Sequence, residues 1–291
     1  MRIARQLVSS ILIITSISGF SKIAKAESLM DKTTASKRPI VLFGASSTAL
    51  RPGTKTYSEI LEQTFQEKNI PIEVINAGVP GNTTALALQR FQKDVLDHNP
   101  SLVVIQFGIN DSAVDVWKDP PKEKPRVELP VYLMNMESMI DRIRDQNGEV
   151  ILMSPQRLSW SKKTRELYGK PPYVSDDEEG FNVILDTYVA GLRELAARKN
   201  VRFIDINAAY SRHPSDYGEP YSALLNKDGM HPNDKGHKLV FDLLIEELSR
   251  PISSLVRYRW QVLYGETNAS GVKALGLLFC QQALCLSVKP R

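Results

Sequence analysis

Asp228-Gly229-Met230-His231-Pro232 places a carboxylate three residues before an imidazole. That spacing lets the acid hold one ring nitrogen while the other faces a hydroxyl. A suitable hydroxyl lies far upstream in Phe43-Gly44-Ala45-Ser46-Ser47-Thr48, where Gly44 permits a tight turn that would present a serine at a strand's end. Two further segments supply potential hydrogen-bond donors. Asn76-Ala77-Gly78-Val79-Pro80-Gly81-Asn82-Thr83-Thr84 has paired glycines that could bring backbone N–H groups close to a ligand, and Gly108-Ile109-Asn110-Asp111 sets a polar side chain after a flexible glycine. Each segment alone reads as a turn or a helix cap. Together they hold a hydroxyl, a histidine with a carboxylate to orient it and, at three successive strand ends, potential hydrogen-bond donors, which a single turn motif would not explain. Among the other histidines, His98, His213 and His237 lack a comparable setting, and Asp94, four residues before His98, reads as an exposed helix face.

Such residues need a scaffold that brings distant loops to one place. Five short apolar segments fit that need: Ile40–Phe43, Ile72–Ile75, Leu102–Ile105, Val150–Met153 and Val201–Ile204. Three are near-continuous apolar runs, the pattern of strands buried on both faces of a parallel sheet. Between them lie stretches with helical spacing, such as Tyr57-Ile60-Leu61-Phe65, Leu86-Leu88-Phe91-Val95 and Tyr188-Leu192-Leu195. The βαβα alternation predicts an α/β protein, a three-layer α/β/α sandwich with right-handed crossovers. Active residues in such sheets gather at the strands' carboxyl ends, where three of the four segments above lie. The last predicted helix runs from Asn233 to Leu248. Ser112–Pro130, with four prolines, predicts a long surface loop of functional interest. Asp176–Glu179 predicts the start of a helix, where acids are favoured. Trp117 and Trp160, on loops after the third and fourth strands, suit either simple packing or stacking on a sugar ring.

The ends of the chain read differently. Arg2 and Arg5 precede an apolar run from Leu7 to Phe20, followed by Ala24-Lys25-Ala26, a small-x-small cleavage pattern. Residues 1–26 are therefore expected to be a secretory signal peptide, since the run is shorter than the roughly 20 residues a membrane span needs. Removing them takes four basic residues and no acid from a chain of 37 basic and 33 acidic residues, so the mature protein is formally neutral. The basic character belongs to the leader and gives no warrant for a nucleic-acid partner. Export to the periplasm or medium is expected, without stable membrane insertion once the leader is gone. Residues 27–38 read as a linker, 39–250 as the catalytic domain and 251–291 as a tail of unassigned role. Cys280 and Cys285 lie in that tail; an exported protein could oxidise them, and the lack of a histidine after His237 argues against a metal site.

The four segments, in order and over roughly residues 39–248, resemble the SGNH hydrolases, also called GDSL-like lipases and acylhydrolases. The resemblance implies a flavodoxin-like fold with a five-stranded parallel sheet. It also implies that Ser46 is the nucleophile, His231 its base and Asp228 the orienting acid. Ser46, Gly81 and Asn110 then supply the oxyanion hole, with no metal and no cofactor. Gly81 is preferred to Gly78 because Asn82-Thr83-Thr84 follows it directly. The chain departs from the family pattern at Ala45, where an aspartate is usual, which bears on loop geometry and rate. The function implied is hydrolysis of carboxylic esters with short acyl chains, acetyl above all, on small molecules or carbohydrates. An acyltransferase using the same acyl-enzyme, and a non-catalytic carbohydrate-binding protein on the same fold, are the alternatives.

Overall fold

A computed structural model describes residues 38–249 of the 291-residue chain. The leader, the linker up to Lys37 and the tail with its two cysteines lie outside the described residues.

Five parallel strands form the central sheet: β1 (Ile40–Gly44), β2 (Val74–Gly78), β3 (Leu102–Gln106), β4 (Glu149–Met153) and β5 (Arg202–Ile204). Their order is β2-β1-β3-β4-β5. This is the flavodoxin-like arrangement, whose direction of winding reverses between β1 and β3. The helices are α1 (Tyr57–Glu67), α2 (Thr84–Asp94), α3 (Ile109–Ser112), α4 (Leu129–Asp145), α5 (Lys162–Tyr168), α6 (Leu185–Arg198), α7 (Ile206–Tyr217) and α8 (Asp234–Ser249).

Strand alternation divides the core. Val41, Phe43, Val103, Ile105, Val150 and Leu152 project to one face, where α2, α4 and α6 bury Phe91, Tyr132, Met136, Ile140, Tyr188 and Leu192 against them. The intervening Ile40, Leu42, Val104, Ile151 and Met153 are equally buried toward the other face. Right-handed connection places α1 on that face, because the β1-to-β2 crossover travels opposite to the later ones. Helix α8 lies beside it, with Tyr57 of α1 stacking on His237 of α8 at 6.1 Å between ring centroids.

Register carries the chemistry. Gly44 pairs with Gly78 on one side and Gln106 on the other, so the segments beginning at Ala45, Val79 and Phe107 leave the sheet at one level. The sequence places the second strand at 72–75, whereas it runs from Val74 to Gly78. Pairing with Leu42, Phe43 and Gly44 extends the strand through Asn76 and Gly78, residues of low strand propensity. The long loop is also shorter than its prolines suggest, because Pro130 sits in the first turn of α4, where its missing N–H costs nothing. The acidic run 176–179 does not begin a helix. It lies in turns ahead of α6, where Glu179 pairs with the nearly buried Arg157.

Gly78 has a specific reason to be glycine. A Cβ there would stand 2.6 Å from Ala49 Cα and 2.7 Å from the Thr48 carbonyl carbon, in the turn that carries Ser46. Gly78→Ala is expected to destabilise the protein by about 1–3 kcal/mol through overpacking. Urea unfolding, compared with wild type, checks this.

Candidate active site

The turn after β1 is closed by Thr48 and Ala49 N–H groups donating to the Ala45 carbonyl. It lifts Ser46 off the sheet. Asn76 steadies this turn from β2, donating through Nδ2 to the Thr48 carbonyl at 2.7 Å. The loop from Asn226 to Asn233 approaches from the other end of the chain, closed by an Asn226 N–H bond to the His231 carbonyl and a bridge between Leu225 and Pro232. His231 Nε2 thereby comes within 3.0 Å of Ser46 Oγ, and Nδ1 lies 2.7 Å from Asp228 Oδ2.

Asp228 does more than face the ring. Its Oδ1 accepts the backbone N–H groups of Met230 and His231 at 2.8 and 3.0 Å. Burial alone would raise its pKa, but these two bonds and the imidazole outweigh burial and hold the carboxyl below the usual range. An ionised acid at Nδ1 favours the tautomer in which Nε2 is free to take a proton.

Ser46, Gly81, Asn110 and His231 line one cleft of about 350 Å³. Among the described residues neither the Ser46 nor the Gly81 N–H has a protein partner, and Gly81 holds φ at +77° with open space where a Cβ would be. The Asn110 amide is oriented at both ends. Nδ2 donates to the Asn82 carbonyl at 3.0 Å, leaving its second hydrogen, while Oδ1 accepts from Arg126 Nη1 at 3.3 Å. Arg126 is fixed in turn by buried Asp115 through Nε at 3.1 Å and Nη2 at 2.7 Å. A hydroxyl, a paired base and several donors around one hollow can attack and stabilise an acyl carbonyl.

The residues that support these groups escape a reading of the sequence. Arg126 sits in the proline-containing loop whose length invites a functional role, but nothing in its local sequence singles it out. Gln156, just past β4, donates from Nε2 to Ser47 Oγ at 2.9 Å and to the Met230 carbonyl at 2.8 Å, tying the serine turn to the histidine loop. Asp111 is fully buried, and its Oδ1 accepts the Thr84 N–H and hydroxyl at 2.7 and 2.6 Å. It pins the start of α2 directly behind Gly81-Asn82-Thr83. Burial raises its pKa despite those bonds. Neither Trp117, which is exposed, nor Trp160 lines the cleft. Trp160 stacks on Phe181 at 4.5 Å, and Trp117 donates to the Tyr168 hydroxyl at 3.3 Å.

A model of the GDSL-like lipase/acylhydrolase family matches residues 42–239. The chain belongs to this family. It is an ester hydrolase of the SGNH type. An acetylxylan esterase of Geobacillus stearothermophilus is 24% identical over 192 residues, covering 65% of this chain and 77% of that protein. An arylesterase of Vibrio mimicus is 30% identical over 120 residues, 41% of this chain and 54% of that one. Among solved structures, a lipase/acylhydrolase from Enterococcus faecalis aligns with a TM-score of 0.54 at 26% identity, covering 72% of this chain and 95% of its own. Among the described residues of this hydrolase no group of histidine, cysteine and acidic side chains is arranged to hold a metal ion.

The second histidine of the region is held uncharged. His237 on α8 is 2% exposed, and burial, aided by the charge of Arg51, lowers its pKa to about 4 against the pull of Asp234 and Glu59. The unfolded chain protonates this residue near pH 6.5, whereas the folded one resists until about pH 4. Its contribution is therefore complete above pH 6.5 and falls away toward pH 4, by about 3 kcal/mol at roughly 1.4 kcal/mol per unit. Urea unfolding between pH 7 and 4 should show this decline in wild type, and a shallower one in His237→Gln.

Proposed function

We propose that this protein is an exported serine esterase that removes short acyl groups, acetyl above all, from small-molecule or carbohydrate esters through an acyl-enzyme. The observation that carries the reading is the unbroken line from Asp228 Oδ2 through the His231 ring to Ser46 Oγ, with contacts of 2.7 and 3.0 Å. In this mechanism Nε2 takes the Ser46 proton as Oγ bonds to the ester carbon. The former carbonyl oxygen becomes an oxyanion, received by the Ser46 and Gly81 N–H groups and the Asn110 amide. Collapse breaks the bond to the alcohol oxygen, which leaves with the proton from Nε2. Water, activated by the same ring, then releases the acid and restores the serine. Donors of this kind are each worth about 2.7–4 kcal/mol in the transition state.

The short acyl chain and the carbohydrate alcohol are supported by the acetylxylan esterase among the relatives. Export rests on the leader pattern at residues 1–26, and no described helix is long and apolar enough to cross a membrane. Water as acceptor distinguishes this reading from acyl transfer: in the presence of free sugars the product should be acetate, with acetylated sugar absent.

Hydrolysis of nitrophenyl acetate tests the assignment. Ser46→Ala should abolish turnover, Asn110→Ala should lower kcat by about 10²–10³ with a smaller change in KM, and Asp228→Asn should lower kcat by about 10⁴. Undiminished turnover in folded Ser46→Ala would overturn it.

A further inference from the structure

Two hollows meet at Ser46, and they differ in size and in their neighbours. The larger, about 350 Å³, is bordered by His231 and Met230 and runs to a wall of Leu158, Tyr168, Tyr173 and Phe181. The tyrosine hydroxyls of that wall are engaged elsewhere. Tyr173 accepts the Val114 N–H at 2.9 Å and Tyr168 the Trp117 indole N–H at 3.3 Å, so the wall presents mainly ring surface. The smaller hollow holds only about 10 Å³, between Ala45, Phe107, Gly108, Pro155 and Gln156. That is about the room for one water-sized or methyl-sized group. Neither His231 nor Gly81 borders it.

The chemistry assigns the two halves of the substrate. At the tetrahedral carbon one bond goes to Ser46 Oγ, and the oxyanion points to the donors. The alcohol oxygen must lie within reach of His231 Nε2, because that nitrogen returns the proton as the C–O bond breaks. The alcohol therefore departs on the side bordered by the imidazole, which is the large cleft. The acyl chain takes the remaining direction, and the second hollow that Ser46 borders, with Asn110 also on its rim, is the small one.

Resting on the esterase reading above, we infer that this enzyme divides its ester between the two hollows, a very short acyl chain beside Ala45 and a bulky, ring-bearing alcohol against Tyr168, Tyr173 and Phe181. Ala45 acquires a role. Where the family pattern has an aspartate, the methyl side chain leaves the acyl hollow open and uncharged, and a larger residue would fill it. The alcohol is defined by a ring with an apolar face, which a sugar and an arene share.

Two ester series with the wild-type enzyme test the division. Acetates of ethanol, 2-phenylethanol and a methyl xyloside vary the alcohol, and ethyl esters from acetyl to octanoyl vary the acid. From ethyl to a ring alcohol kcat/KM should rise by roughly tenfold or more, and from acetyl to hexanoyl it should fall by at least as much, given the 10–200-fold effect of a single methylene in a closed pocket. The two ring acetates tell an arene from a sugar as the preferred occupant. Ala45→Val should depress turnover of acetates whatever the alcohol, whereas Tyr168→Ala should shrink the ratio between ring and ethyl acetates without altering the acyl-length profile. Preference for long acyl chains on ethanol over acetates of ring alcohols would overturn the division while leaving the esterase reading intact. Failure to hydrolyse any ester would remove both.

Discussion

A hydrogen bond of 3.0 Å joins Ser46 and His231, residues separated by 185 positions of chain. The ring must reach the hydroxyl and the hydroxyl must stand clear of the sheet. Both loops are therefore braced by contacts to the residues that flank these two. Gln156 fastens them to the end of β4, and Asn76 fastens the serine turn to β2. The Lys55 N–H bonds the Asp234 carboxylate at 2.9 Å, tying the chain beyond the serine turn to the start of α8. A misplacement of about an ångström is enough to cost such a site much of its rate, which accounts for the density of bracing.

Charge is arranged with the same economy of parts. One half-buried acid, Asp228, is kept ionised by donors, and a fully buried one, Asp111, is pushed up by burial. Arg126 has its charge balanced by Asp115, whose own carboxyl, which burial would raise, is drawn down by bonds from Arg126 and Lys118. What Arg126 offers the site is chiefly orientation, a donor that fixes the direction of the Asn110 amide. His237 is held neutral nearby, so His231 has no second imidazolium beside it.

Much of this was legible in the sequence. Apolar runs ending in glycine-containing turns marked β1, β2 and β3, and parallel order with crossovers placed those turns at one edge. The Asp228–His231 spacing stood out because only four residues had to be read together. What escaped the sequence depends on contacts between loops whose order in the chain says nothing of their distance. Arg126 meets Asn110 across sixteen residues and Gln156 meets Ser47 across 109. Neither residue type carries a signature of such a role. The tryptophans show the opposite case. Trp160 suits packing or stacking on a sugar ring equally by its place in the sequence, and its ring packs against Phe181 while its N–H bonds the Asp177 carbonyl. The acidic run misled because acids favour helix starts in general, while here Glu179 answers the charge of Arg157.

The central claim is that the Ser46 hydroxyl is made nucleophilic by the imidazole facing it. Peptide mapping by mass spectrometry after reaction with a fluorophosphonate measures this directly, because the probe phosphonylates activated serines. A single adduct on the peptide containing Ser46, formed quickly in wild type and far more slowly when His231 is replaced by alanine, is the predicted result. An adduct on another serine, or none on folded protein, would contradict it.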